Sequence, residues 1–456
     1  MRTGSLGAPR YFFIRRKHFY RYLHLKKEQM FAIMKSQGVN GMLIFHVDAN
    51  SAYLSWTAAA LLEQGYEIDL RTIPSAIAGD PENRHGIILT KSIPAKKYGI
   101  QTGESLFEAR NKCPELVVFP PDYDLYLSCS NAMYDILAEY SPVIQRYSVD
   151  ECFCDMTSVP RAELNPVEVA YEIKERMKQE LGFTVNIGIG KNKLCAKMAG
   201  ELKKPDMVHT LWPEELASKL WPLPVSELFM VGRATTAKLQ KLNIRTIGEL
   251  AAADPVLLKS ILKSHGLLVH DYANGIDYSQ VTPNSDIIQK GLGNGLTYAY
   301  DLETQQNIND ELLALCERVG MRLRRMNRLA SLVSVSLRSA NLFGYSHQVQ
   351  LQNYICTTKE IFEIASRLVD EMWHGEPVRA MSVSLSNFAV PGQTQLSMFD
   401  MAEKEREEKL DRTVDRIRKA FGERSIIRGT FANSEINPIQ GGVNDGNYIM
   451  MGGYKQ

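Results

Sequence analysis

The chain has no run of eighteen apolar residues anywhere in its 456. A helix needs about 20 to cross a bilayer, so a membrane-spanning helix is excluded. It also has no CxxC pair and no HExxH motif. Its seven cysteines are scattered, and the nearest pair, Cys152 and Cys154, has the period-two spacing of a strand. A zinc site is therefore not expected, and unpaired thiols point to a reducing compartment, the cytoplasm. Nor does charge of either sign dominate: 53 Lys and Arg against 52 Asp and Glu leave a net +1. Nucleic-acid binding would have to come from placed patches rather than overall attraction. The distribution is uneven. Residues 1–41 hold nine Lys and Arg against the single acid Glu28, a local +8, which leaves 44 basic against 51 acidic, or −7, for the rest. This stretch lacks the apolar core and cleavage site of a secretory signal and reads as a basic N-terminal extension.

What is present centres on two acidic stretches far apart in sequence, Phe45-His-Val-Asp-Ala-Asn50 and Tyr147-Ser-Val-Asp-Glu-Cys152. The first continues an apolar start at Met42 and alternates like a strand, carrying Asp48. The second ends the β-like run 143–149 and restarts as Cys152-Phe153-Cys154, which puts Asp150 and Glu151 at or near a hairpin tip. Each acid alone reads more readily as a solvated strand end. Three at the ends of adjacent strands suit a hard divalent cation that keeps waters and binds substrate phosphates.

From Met42 the pattern predicts a strand, a helix over 51–64, and extended runs at 70–77 and 86–90. Helices follow at 105–112 and 126–140, then the acidic hairpin, a helix from Pro166 to Leu181 stopped by Gly182, and an alternating strand from Val185. Gly188-Ile-Gly-Lys-Asn-Lys-Leu-Cys-Ala-Lys197 opens a further helix that ends at Lys204-Pro205. Its lysines Lys193 and Lys197 have the spacing of an ordinary wet face. This order gives an α+β layer with its acids at one edge. The segment 212–224 reads as a linker to a helical unit over about 225–280, whose stretch 229–250 has the form of a helix–hairpin–helix. There Gly232 precedes a helix N-terminus able to hold a DNA phosphate without reading sequence, although Met230 stands where the first hairpin glycine is usual. A third unit of strands and two helices spans 285–390. Its helix 309–327 carries Arg318, Arg322 and Arg325 at i, i+4 and i+7, which reads as a phosphate-tracking face or a solvated one. A charged helix over 403–421 follows, with a narrow stripe of Leu410, Val414, Ile417 and Phe421.

Set in order, these motifs resemble the Y-family (translesion) DNA polymerases over residues 42–390. The family's hydrophobic-Val-Asp strand with an aromatic five residues later is matched by Asp48 and Tyr53. Its Ser-(Ile/Val)-Asp-Glu motif is matched by Ser148-Val-Asp150-Glu151. Its Gly-Ile-x-x-Asn-Lys-x-x-Ala-Lys motif is met by Gly188 to Lys197, and its Lys-Pro by Lys204-Pro205. The resemblance implies a right-hand polymerase. Its palm would be 42–59 and 123–211, its fingers 60–122, a helical thumb 212–284, and a C-terminal α+β little finger 285–390, with a tail over 391–456. It implies two Mg2+ ions held by Asp48, the Ala49 carbonyl, Asp150 and Glu151 as catalytic carboxylates. Lys204 would meet the triphosphate, and Tyr53 would exclude a 2′-hydroxyl. The partners implied are primer-template DNA and deoxynucleoside triphosphates, taken up by a monomer.

One motif departs from the family. The fingers' Tyr-x-Ala-Arg is here Ile93-Pro94-Ala95-Lys96, so Lys96 keeps the charge but not a bidentate fork. This substitution resembles the UmuC-like branch of bacteria. In the tail, Gln395, Leu396, Met398 and Phe399 resemble the peptide that docks bacterial polymerases on the sliding clamp. The expected function is error-prone translesion synthesis in DNA repair. The alternatives weighed are an inactive polymerase-like adaptor for DNA or clamp, and a two-metal cyclase or nuclease. The retained acids disfavour the first. Neither enzyme of the second would need the hairpin module or the clamp-like peptide.

Overall fold

A computed structural model describes residues 42–80, 86–391, 401–432, 434 and 436. The basic extension 1–41 and the clamp-like residues Gln395, Leu396, Met398 and Phe399 lie outside the described residues. The chain divides into two compact units, one built mainly from residues 42–79 and 87–287, the other mainly from 288 onward.

The first unit is organised on a five-stranded sheet in the order β5-β6-β1-β7-β8. Its strands are β1 (Ile44–Ala49), β5 (Val143–Arg146), β6 (Glu151–Asp155), β7 (Val185–Gly190) and β8 (Val208–Leu211). β1 is central, and every one of its residues is buried. Alternation then sorts its side chains by face. Phe45, Val47 and Ala49 join Cys152, Cys154, Ile187 and residues of the helices Tyr123–Tyr140 and Pro166–Leu181 in the main core. The helix Pro166–Leu181 begins on a proline at its first turn and stops at Gly182, whose φ of 73° lies in the left-handed region.

The opposite face carries Ile44, His46 and Asp48 and is covered by the helix Lys193–Glu201. Contact is close because β7 is glycine there. A Cβ on Gly188 would lie 1.9 Å from the Ala196 carbonyl oxygen, and one on Gly190 2.6 Å from the Ala196 nitrogen. The glycines of the motif thus let a helix lie against a strand at backbone distance.

Beside this sheet, β2 (Ser75–Ala78), β3 (Ile88–Lys91) and β4 (Val117–Phe119) form a small sheet in the order β3-β2-β4. The helix Leu106–Lys112 there starts in a capping box between Ser105 and Glu108. Residues 212–224 are not a free linker. They fold into short helical turns, and Leu220 is fully buried with Leu239, Ile247 and Leu250 of the helical part. The helix–hairpin–helix is present as Arg233–Lys241 and Ile247–Ala251, with Gly232 as N-cap. Met230 has φ 71°, the conformation a glycine adopts freely and a side chain pays for in strain.

The second unit is a four-stranded antiparallel sheet, β11-β10-β12-β9, made by Gly344–Ile355, Leu329–Ser339, Val378–Ala389 and Gly291–Leu302 in that order. The helices Gln305–Arg325 and Thr358–Met372 pack against it. A helix over Met401–Phe421 adds to this unit in an unexpected way. It seats by its charged flank, while Leu410 and Phe421 of its apolar stripe stay 61% and 78% exposed.

That docking corrects the arginine reading. Arg318 is buried and gives Nη1 to Glu423 at 2.9 Å, and Arg325 meets the same carboxylate at 3.3 Å. Arg322 donates to the Gly293 carbonyl at 2.9 Å, and Arg324 pairs with Asp411 at 2.9 Å and Asp415 at 2.7 Å. The i, i+4, i+7 spacing did place one face, on which Glu423 takes Arg318 and Arg325 and a backbone carbonyl takes Arg322. Arg318 is thereby withdrawn from solvent, whereas Arg322 is half-buried and Arg325 exposed.

Candidate active site

Strand pairing brings the three acids together. β1 and β6 are antiparallel with Asp48 opposite Glu151, and the Ala49 amide donates to the Asp150 carbonyl at 2.9 Å. Asp150 closes the turn between β5 and β6, where the Ser148 hydroxyl donates to its Oδ1 at 2.5 Å. Burial pushes the carboxyls of Asp48 and Asp150 up from the ordinary range, and the neighbouring Glu151 charge adds to both. Glu151 differs. Burial acts upward on it too, but the His46 hydrogen bond and the charge of Lys197 outweigh it and bring the carboxyl down to about 2.

Each acid meets a partner of its own. Lys204 lies 2.6 Å from Asp48 and 2.8 Å from Glu201. Lys197 lies 2.5 Å and His46 3.1 Å from Glu151 Oε2. Among the described residues, no three His, Cys, Asp or Glu side chains are gathered at ligand distance of one point. The donor set nevertheless fits hard cations: three carboxylates and a backbone carbonyl offer oxygen ligands only, at a largely buried edge of the sheet.

Lys204 is held in place from below. Asn186, fully buried, takes the Asn50 amide at 3.0 Å and gives its own amide to the carbonyls of Gly200 at 3.0 Å and Lys203 at 2.8 Å. Asn50 Oδ1 in turn accepts from the Asp206 amide at 2.9 Å. These bonds pin the turn after the helix Lys193–Glu201 and so place the Lys204 ammonium beside Asp48.

Tyr53 stands in the first turn of the helix Ala52–Glu63 and stacks on Tyr126, centroids 4.3 Å apart and planes at 5°. Burial, then the Asp150 charge, raises its phenol to about 12. Lys96 is exposed on the short helix Ile93–Lys97 and makes no hydrogen bond or ion pair with them. Gly232 caps its helix well along the chain from the acids.

Two residues at the acids escaped the sequence reading. His46 precedes Asp48 by two, so strand alternation puts both on one face; that signal was available. Helical spacing alone puts Lys197 on a wet face, yet it is buried, its ammonium 5.2 Å from the Tyr147 ring and 5.4 Å from the Phe229 ring. Its partner lies 46 residues away in sequence, so spacing within the helix could not reveal it.

Residues 47–201 match the impB/mucB/samB family, residues 213–244 its HHH motif and residues 289–398 its C-terminal domain. DNA polymerase IV of Clostridium acetobutylicum is 48% identical over 393 residues, 86% of this chain and 99% of that relative. The chain belongs to the Y family of DNA polymerases. DNA polymerase IV of Clostridium kluyveri is 35% identical over 87% of this Y-family chain and 99% of its own length. DNA polymerase IV 1 of Bacillus subtilis is 34% identical over 88% and 95%. A solved Y-family DNA polymerase chimera superposes with a TM-score of 0.67 at 20% identity, covering 76% of this chain and all of its own. The fold is accordingly the α+β right hand with a C-terminal little finger. Y-family enzymes are metal-dependent nucleotidyltransferases, and this chain is a DNA-directed DNA polymerase of the translesion type.

Proposed function

We propose that this polymerase binds two magnesium ions on Asp48, the Ala49 carbonyl, Asp150 and Glu151, and extends a primer on template DNA from deoxynucleoside triphosphates. The observation that supports it most is the β1–β6 register, with Asp48 opposite Glu151 and Asp150 at the turn beside them. The ions supply charge neutralisation for an attacking primer hydroxyl and a departing pyrophosphate.

The chain's own groups complete the reading. The Lys204 ammonium, on Asp48 in the structure, is the point charge for the triphosphate. The Tyr53 ring, backed by Tyr126, is the surface against which a 2′-hydroxyl would clash. Lys96 contributes charge from the fingers without a guanidinium fork, and Gly232 opens a phosphate site on the thumb. The domain limits are 42–59 and 123–211 for the palm, 60–122 for the fingers, 212–284 for the thumb and 285–390 for the little finger.

The tail peptide with Gln395, Leu396, Met398 and Phe399 docks on a sliding clamp. The enzyme acts as a cytoplasmic monomer in damage tolerance; no described helix is long and apolar enough to cross a membrane. An inactive adaptor would have no use for a complete set of acids with Lys204 on Asp48.

Asp150→Asn tests the reading. It is expected to abolish primer extension while leaving primer-template affinity unchanged. Extension at the wild-type rate by that variant would refute the assignment.

A further inference from the structure

His46 is fully buried in the middle of β1. Its ring lies 4.7 Å from that of Phe153 at 50°, and a Cβ on Gly200 would come within 3.4 Å of Nδ1. A position that called only for volume would take an aliphatic or phenyl side chain, as Ile44 and Phe153 do on the same face. Here it holds an imidazole whose Nδ1 has no partner among the described residues. An unpaired ring nitrogen in a dry site carries a desolvation cost. The compensating bond is the one from Nε2 to Glu151 Oε2 at 3.1 Å. An ionised carboxylate only accepts, so the proton sits on Nε2 and His46 donates.

The same oxygen takes the Lys197 ammonium at 2.5 Å. Oε2 is thus held from two sides by groups on two elements, β1 and the helix Lys193–Glu201. No donor among the described residues meets Oε1. We propose that His46 is a positioning residue for metal binding: with Lys197 it fixes the rotamer of Glu151 by Oε2 and leaves Oε1 as the oxygen presented to a cation. Lys197 reaches the carboxylate on a long stem with several rotatable bonds. The histidine comes from a rigid central strand and sets direction where the lysine sets mainly charge. Hydrogen bonds that orient a ligand in this way are worth about 10–100-fold in metal affinity.

This rests on reading Glu151 as a metal ligand, and the experiment separates the two. Mn2+ is titrated by electron paramagnetic resonance into the full chain bound to a dideoxy-terminated primer-template and a non-hydrolysable nucleotide. His46→Phe keeps a ring and loses the donor, and His46→Gln keeps an amide donor. The expected result is that His46→Phe weakens one of two Mn2+ sites by about tenfold, with DNA affinity and thermal midpoint close to wild type. His46→Gln is expected to restore most of it.

Wild-type Mn2+ affinity in His46→Phe, or equal loss in both variants, overturns the proposal. Should His46→Phe fail to fold, His46→Leu against His46→Gln makes the same comparison. If Glu151→Gln itself leaves both Mn2+ sites intact, the ligand assignment fails instead.

Discussion

Glu311 lies on the helix Gln305–Arg325 at 7% exposure, and burial, then the charge of Asp310, raises its carboxyl from 4.5 to about 7. Burial, then the Glu311 charge, raises Tyr298, whose buried hydroxyl has no partner among the described residues. A carboxyl raised in the folded state favours folding below its unfolded value, near 4.5, and that contribution is lost as pH climbs through 7. Glu311→Gln should therefore raise stability at pH 8 by about 2–3 kcal/mol and change little at pH 5. Thermal melts of both proteins at the two pH values check it; equal shifts at both would contradict the assignment. At this scale motifs single out Asp48, Asp150, Glu151, Tyr53 and Lys204, and sheet pairing brings the acids and Lys204 together. His46, Lys197 and Asn186 were not singled out, because their roles depend on partners brought near only by sheet register and helix docking.

The helix Lys193–Glu201 lies on β7 only because Gly188 and Gly190 leave room for its backbone. A methyl at Gly188 would meet main chain rather than a movable side-chain end, so the helix has to lift. Gly188→Ala is expected to cost about 1–3 kcal/mol or more and to draw Lys197 away from Glu151. Chemical denaturation gives the first effect. Loss of primer extension below the melting temperature gives the second, and a variant with wild-type values in both would show that the close approach is dispensable.

Elements with a clear period were predicted nearly to the residue, as with Pro166–Leu181, where proline and glycine mark both ends. The strand Val117–Phe119 and helix Ile93–Lys97 were missed because three and five residues carry too little pattern to rise above turn signals. The charged helix Met401–Phe421 was placed correctly, but its apolar stripe pointed to the wrong flank. Its contact is made by Asp411, Asp415 and Arg418, the last on Glu317 at 3.1 Å. Amphipathic pattern reports apolar contact; an interface sealed by ion pairs leaves no such mark.

Across the whole molecule, the two units have separate cores, and the second depends on chain from beyond its last strand. Asp411 and Asp415 neutralise Arg324, whose side chain is 3% exposed. Removing the acids of a buried pair costs about 3–5 kcal/mol. The double variant Asp411→Asn, Asp415→Asn should lower the calorimetric transition of the second unit and leave that of the first in place. A shift of both transitions together would show one cooperative block instead.

The buried cysteines add an experimental opportunity. Burial pushes the Cys152 and Cys356 thiols up to about 12 and carries Cys154 and Cys316 upward as well. The thiolate is the nucleophile that attacks an alkylating reagent, so in the native protein these sulfurs are all but inert. Cys152 and Cys154 become reactive when the five-stranded sheet opens, and Cys316 and Cys356 when the four-stranded unit does. Mapping modified peptides by mass along a denaturant series would time the two openings independently, with no foreign label engineered into either.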